Sequence, residues 1–263
     1  MDVRGARILL TGATGGIGRT IATELAARGG ELVLTGRRTD LLEDLAEEVS
    51  GRAIPADLTD RDAIDKLLRD AGEIDVLVAN AALPAGGTLT DFSMEELDRA
   101  LDVNLRAPIV MARLTAESMT ARRRGHLVFL SSLAGKTATA QESLYSATKF
   151  GLRGFALALR EDLRHHNVGV STLFPGYIRD AGMVTDAGVT LPRGVGTRSP
   201  HDVARAVIRA IEKNRAELDV APPTLRLIAL LGGIAPTLTA ALQRGVGAET
   251  IARQLAEGQR YKN

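Results

Sequence analysis

The stretch RILLTGATGGIG, residues 7–18, constrains this chain more than any other part of it. A short apolar run of strand length enters a glycine-rich turn, and the turn opens into GRTIATELAARG (18–29), whose apolar residues recur at helical period. The same alternation returns as ELVLTG (31–36) before TDLLEDLAEEVSG (39–51), as RAIPADLTD (52–60) before RDAIDKLLRDAG, and as IDVLVANAA (74–82). Strands separated by helices cannot pair as hairpins. They need crossovers, and right-handed crossovers build a parallel sheet with helices on both faces.

The second half continues the pattern. Ser93 to Glu96 has the form of a capping box opening a helix toward Leu101, and a long helical segment runs from Asn104 to Arg124. GHLVFLSS (125–132) and VGVSTLFPG (168–176) read as strands around a helix from Ser143 to His166. Ser199 and Pro200 suit the N-cap and first position of a further helix, and AELDVAPP (216–223) reads as a last short strand. The expectation is an α/β fold, a doubly wound parallel sheet of about seven strands formed by residues 1–222. Residues 223–263 form an apolar helical C-terminal extension, packed on the same domain or on a partner subunit. Residues 177–198 are expected to form a mobile loop.

Composition excludes several classes. The chain has 263 residues, 45% of them hydrophobic, which suits one large domain. Lys and Arg number 33 against 32 Asp and Glu, so no global field favours nucleic acid. The run Arg122 to Arg124 reads as a solvated helix end. No cysteine is present, and none of His126, His165, His166 and His201 has metal-ligand spacing, so no metal site is expected. The N-terminal residues enter a strand without the apolar run of a signal peptide, which gives a cytoplasmic expectation.

Gly12, Gly16 and Gly18 stand where a tight turn, close approach to a phosphate and close helix–strand packing each require glycine. The following helix then directs its N-terminal N–H groups at a pyrophosphate. At the end of the second strand, a dinucleotide fold that prefers NAD places a carboxylate for the ribose. Here Gly36 is followed by Arg37 and Arg38, two guanidiniums suited to a 2′-phosphate. That favours NADP(H) over NAD(H).

Taken with YSATK (145–149), these features resemble the short-chain dehydrogenase/reductase family in its compact, NADP-preferring, single-domain form. The markers are TGATGGIG (11–18), ADL (56–58), ANAA (79–82), VNL (103–105), SS (131–132), YSATK and PG (175–176), in the family's order. The resemblance spans roughly residues 5–220 and implies a Rossmann-type sheet. It implies Tyr145 as catalytic acid/base, Lys149 as its tuner, and Ser132, thirteen residues before the tyrosine, as the catalytic serine. Asn104 would complete the tetrad. The implied cofactor contacts are Gly12, Thr14, Gly15, Gly16, Ile17, Gly18, Arg37, Arg38, Asp57 at the adenine, Leu58, Asn80, Tyr145, Lys149, Pro175, Gly176 and Ile178. The sequence departs from the family at Ala79 and Ala82, and at Asp180, where a threonine often reaches the nicotinamide.

The implied activity is interconversion of a carbonyl and an alcohol on a small molecule, by a homodimer or homotetramer. Two other readings stay open: a 3-oxoacyl-thioester reductase, and a non-catalytic NADP-binding sensor or scaffold. Leu83, Pro84, Leu133, Ala134, Gln141, Tyr177, Met183 and Leu191 are candidate pocket liners, mostly apolar, which favours a lipophilic substrate; Lys136 is expected to point to solvent. The apolar segment from Leu225 to Gln243 is interrupted by Gly232, Gly233 and Pro236, too broken to span a bilayer. Core or subunit packing, a lid over the pocket, and peripheral membrane contact are its three open roles.

Overall fold

The structure, a computed structural model, describes residues 1–182, 185, 187–189, 196–245 and 248–260. Seven strands form one parallel sheet: β1 (Arg7–Thr11), β2 (Glu31–Thr35), β3 (Arg52–Ala53), β4 (Val76–Ala79), β5 (Gly125–Leu130), β6 (Val168–Pro175) and β7 (Glu217–Val220). Their order is β3-β2-β1-β4-β5-β6-β7, so the winding reverses between β1 and β4. In sheets of this kind a crevice opens at that reversal, at the carboxyl ends of the strands.

Both faces of the sheet are buried, which is why its strands read as continuous apolar runs. Ile8 and Leu10 of β1 face one core with Val128 and Leu130 of β5, while Leu9, Leu127 and Phe129 face the other. The first core is covered by α1 (Gly16–Ala27), α2 (Thr39–Glu48) and α7 (Pro200–Lys213), through Ile21, Leu25, Leu42, Leu45, Val203 and Val207. The second is covered by α3 (Arg61–Ala71), α5 (Ala107–Arg122) and α6 (Ser143–Leu163), through Ile64, Leu67, Met111, Met119, Leu152 and Ala156.

The capping expectations hold. Ser93 and Glu96 close a reciprocal box at α4 (Met94–Leu101), and Ser199 and Asp202 do so at α7, with Pro200 in its first turn. Other boundaries moved. α1 begins at Gly16, inside the glycine loop, and β3 is only two residues long. The helix expected from Asn104 begins instead as a π turn, Asp102–Arg106, ahead of α5. Pro108 supplies the reason: it has no N–H to give the carbonyl of Asn104, four residues earlier, so the regular ladder is broken there.

Two charged residues are not where the sequence put them. Arg122 is no solvated helix end; it donates to Asp75 Oδ1 at 2.9 Å and to the Ile74 carbonyl at 2.8 Å, tying α5 to the start of β4. Lys136 does not point to solvent. Its side chain is 13% exposed, pairs with Asp219 at 2.7 Å and Glu217 at 3.1 Å, and stands 4.1 Å from the centroid of Phe174. Two carboxylates on β7 and an aromatic face on β6 outcompete water for that ammonium.

The C-terminal segment forms α8 (Pro223–Ile234), α9 (Pro236–Gly245) and α10 (Ala248–Arg260). The inner side of α8 meets the domain where Gly232 abuts Thr137 and where Leu225 approaches Gly176. Its outer side leaves Leu227, Leu230, Leu231 and Ile234 exposed. Among the described residues no helix is long and apolar enough to cross a membrane.

Candidate active site

The glycine turn sits at the carboxyl end of β1, beside the reversal. Gly12 has φ +64°, and a Cβ there would stand 2.8 Å from the Cα of Ala81. A Cβ on Gly18 would run into the carbonyl oxygen of Gly12, and one on Gly16 would stand 2.6 Å from the Cβ of Ala181. Gly15 differs, since its nearest neighbour would be 3.5 Å away, so the turn is closed on its inner side and open on its outer one. The α1 terminus has no side-chain cap and no acidic residue in its first turn. Free N–H groups, an open cradle and no competing anion fit a pyrophosphate.

Asn80 clips this turn to β4. Its Nδ2 donates to the carbonyls of Thr11 (3.0 Å) and Gly12 (3.1 Å), and Thr11 Oγ1 accepts the N–H groups of Asn80 and Ala81. Ala79 and Ala82 are therefore not missed in this clip: Thr11 and the backbone complete it. Arg38 Nη2 donates to the Thr14 carbonyl at 2.7 Å, which holds its guanidinium at the lip of the turn. The exposed Arg37 reaches Asp57 electrostatically. Asp57 itself accepts from Thr59 N and Oγ1, each at 2.9 Å, and these bonds, the backbone one foremost, hold its carboxyl below the usual range. Leu58 is buried beside it.

Beyond β6, Gly176 N–H returns to the Val220 carbonyl and Tyr177 and Arg179 pair with Arg198, so Ile178 is buried. Asp180 takes a left-handed turn (φ +66°) that lays Ala181 on Gly16 and Gly182 on Ile17. The segment from Pro175 to Gly182 thereby flanks the glycine turn. Of the expected pocket liners, Met183 and Leu191 lie outside the described residues.

The four candidate catalytic residues converge from three elements. Tyr145 and Lys149 occupy one face of α6 at i and i+4, with the Lys149 Nζ 5.5 Å from the Tyr145 ring centroid. Lys149 is 2% exposed, gives a hydrogen bond to the Leu130 carbonyl at 3.0 Å, and has no carboxylate partner among the described residues; burial pulls its pKa down to about 8. Ser132 leaves β5 in extended conformation close enough to the Tyr145 phenol to lower its pKa, and its Oγ accepts the Ala134 N–H at 3.2 Å. Its neighbour Ser131 is turned the other way and gives its hydrogen bond to the Lys149 carbonyl. Asn104 is buried in the π turn, where its amide exchanges two hydrogen bonds with the Leu83 backbone, at 2.7 and 2.9 Å.

One participant was absent from the sequence expectations. Glu142, three residues before Tyr145, lies close enough to raise the pKa of both neighbouring phenols. Burial pushes the Tyr145 phenol above its ordinary range, Glu142 pushes it further, and among the described residues Ser132 opposes them. Tyr177 is pushed up to about 12, by burial and then by Glu142. Glu142 itself is raised by burial to about 7. The available sequence clue was its place three residues before Tyr145, at the N-cap of α6.

A phosphate-ready glycine turn at the sheet's reversal, adjoining a Ser–Tyr–Lys cluster, defines a nicotinamide-dependent oxidoreductase. The comparisons agree. The short chain dehydrogenase family matches residues 6–190, and the chain belongs to that family. It is similar to a ketoacyl reductase, HetN, of a Nostoc species, at 33% identity over 96% of this chain and 93% of that one. It is 31% identical to dehydrogenase/reductase SDR family member 7B of Xenopus laevis, over 90% of this chain and 80% of that one. A metagenomic short-chain oxidoreductase solved in complex with NADP superposes with a TM-score of 0.68 at 34% identity, covering 84% of this chain and 99% of that one. The protein is an NAD(P)-dependent dehydrogenase/reductase.

Proposed function

We propose that the protein reduces a ketone or aldehyde on a lipophilic small molecule with NADPH, with Tyr145 as the proton donor. The observation that carries this is the convergence of Ser132, Tyr145 and buried Lys149 beside the open glycine turn. Bound NADPH supplies the hydride. Gly12, Thr14, Gly15, Gly16, Ile17 and Gly18 would hold its pyrophosphate, and Arg37 and Arg38 its 2′-phosphate. Asp57, Leu58 and Asn80 would bound the adenosine side, and Pro175, Gly176 and Ile178 the nicotinamide side.

Ser132 holds the substrate oxygen by a hydrogen bond while Tyr145 delivers its proton to the developing alkoxide. A phenolate is then left in a buried site, next to Glu142. The Lys149 ammonium stabilises it, and burial places that ammonium near its own titration point, so it can pass on a proton in turn. Asn104 spends its side chain on Leu83, which leaves its carbonyl, freed by Pro108, to hold a relaying water.

A 3-oxoacyl-thioester reductase is the second reading, favoured by the name of the Nostoc relative. A carrier-bound substrate would call for a basic patch, and Arg122 is already engaged by Asp75. The sensor reading has less support, because the tetrad residues are assembled. A homodimer or homotetramer is supported by the exposed apolar side chains of Leu114, Phe150 and Leu157 on α5 and α6.

The test is NADPH oxidation against ketones, aldehydes, quinones and acyl thioesters, with Tyr145→Phe alongside. Removal of a general acid of this kind lowers turnover by about 10²- to 10⁴-fold. Equal rates in the two proteins would remove Tyr145 from the mechanism. Tight NADPH binding with no turnover of any carbonyl would favour the sensor.

A further inference from the structure

The C-terminal helices are built inside out. On α8 the positions turned to the domain are small: Ala229 and Gly232 are buried, and Gly232 abuts Thr137. The large aliphatic side chains stand outside. Leu227, Leu230, Leu231 and Ile234 recur at i, i+3, i+4 and i+7, which is one helix face, and Leu230 and Ile234 are 59% and 74% exposed. α9 repeats the inversion, with Thr239 buried and Leu238 exposed. A helix that packs on its domain and faces water carries the opposite pattern, so this outer face suits an apolar surrounding.

Charge, size and chemistry say which surrounding it is. From Ala221 to Gly247 there is no Asp or Glu, and the only charged residues are Arg226 and Arg244, one toward each end of the helix pair. The Arg226 side chain is 54% exposed. An aliphatic stripe between two cations complements a bilayer with anionic head groups. Twelve of the residues from 223 to 241 are exposed, whereas a stable protein interface takes about 20–30 residues a side. Protein interfaces also anchor on Tyr, Trp and Arg and carry about ten hydrogen bonds. Here the exposed side chains include no aromatic ring, and only Thr224, Arg226 and Thr237 can form hydrogen bonds. Acyl chains ask for none. Gly232, Gly233 and Pro236 divide the apolar run into two short helices, which suits lying along a bilayer and not crossing it.

We propose that the outer face of α8 and α9 seats this protein on an anionic phospholipid bilayer, with Leu227, Leu230, Leu231, Ile234 and Leu238 among the acyl chains. α8 starts at the rim of the candidate site, where the side chains of Leu133, Ala221 and Leu225 gather round Gly176. A seated protein therefore presents that rim to the lipid, and a substrate dissolved in the bilayer lies within its reach. This last step rests on the reading of a lipophilic substrate; the docking does not.

Flotation through a density gradient tests the docking without turnover. The full-length protein is mixed with vesicles of phosphatidylcholine and phosphatidylglycerol, or of phosphatidylcholine alone. It should float with the mixed vesicles. Leu230→Glu with Ile234→Glu should weaken that binding by about tenfold or more, the worth of one buried aliphatic side chain. Arg226→Gln should weaken it about fivefold, on the mixed vesicles only. Since Leu230 and Ile234 are exposed, the double variant should keep its melting temperature and its affinity for NADPH, which separates lost docking from lost folding. A protein that stays in solution with both kinds of vesicle overturns the proposal, as does a double variant that floats as well as the unmodified protein. Equal flotation with phosphatidylcholine alone overturns the part given to the arginines. Failure to float, with a dimer in solution that the double variant abolishes, gives the face to a second copy and also overturns the proposal. None of these readings uses a ketone, so the docking can fail while the reductase reading stands, and the reverse.

Discussion

A single lysine illustrates how much of this site is a matter of burial. In sequence, Lys149 is an ordinary helix cation; in the fold it is buried, with the Leu130 carbonyl as its hydrogen-bond partner and the Tyr145 ring beside it. Its pKa of about 8 lies below the ordinary 10.5, so the sign of its linkage to stability is fixed. Between those two values the unfolded chain holds a proton that the native chain has released, and stability rises with pH there. Melting temperatures of the cofactor-free protein should therefore carry a rising contribution from pH 8 to pH 10.5 that Lys149→Met lacks. An identical pH slope in both proteins would mean that the ammonium is solvated. That Tyr145 and Lys149 share one face was legible in YSATK from helical spacing, while the roles expected of them came only with the family resemblance. The nearness of Glu142 to Tyr177 was not legible, because β6 brings that tyrosine in from far along the chain.

At the scale of elements, the proposed preference for NADPH rests on the carboxyl end of β2. Gly36, Arg37 and Arg38 leave the sheet with no carboxylate, and Arg38 is fixed on Thr14 across the glycine turn. We expect Arg37→Ala with Arg38→Ala to raise the KM for NADPH by about tenfold to hundredfold while changing that for NADH much less, since only NADPH carries the extra phosphate. Steady-state kinetics with both cofactors checks this, and a parallel loss for both would show that the arginines hold the loop and not the phosphate. The glycine turn was readable because each of its requirements is local. The π turn at Asn104 was readable only with Pro108 taken into account.

At the scale of the whole molecule, Lys136 joins what the chain keeps far apart. It follows β5, pairs with Glu217 and Asp219 on β7, and sits on Phe174 of β6, while Arg153 of α6 binds Glu217 from the other side. Lys136→Met leaves Asp219 without its 2.7 Å partner and should cost on the order of 1–3 kcal/mol, read as a lowered midpoint in urea. No change in midpoint would mean that Arg226, 3.9 Å from Asp219, replaces the ammonium. α8 adjoins the same region through Thr137, so the C-terminal extension rests on a turn whose other neighbour is Ser132, the proposed catalytic serine.

By itself the sequence determined whatever rests on local rules. Alternating strand and helix periods dictate a parallel sheet, glycines mark the phosphate turn, serine boxes set helix starts, and i, i+4 spacing pairs Tyr145 with Lys149. Only the tertiary structure decided the electrostatics. Whether Arg122 and Lys136 face water or carboxylates and whether Lys149 is solvated depend on groups brought together from tens of residues away. Burial and Coulomb forces act through space, and the order of residues along the chain does not record distance through space.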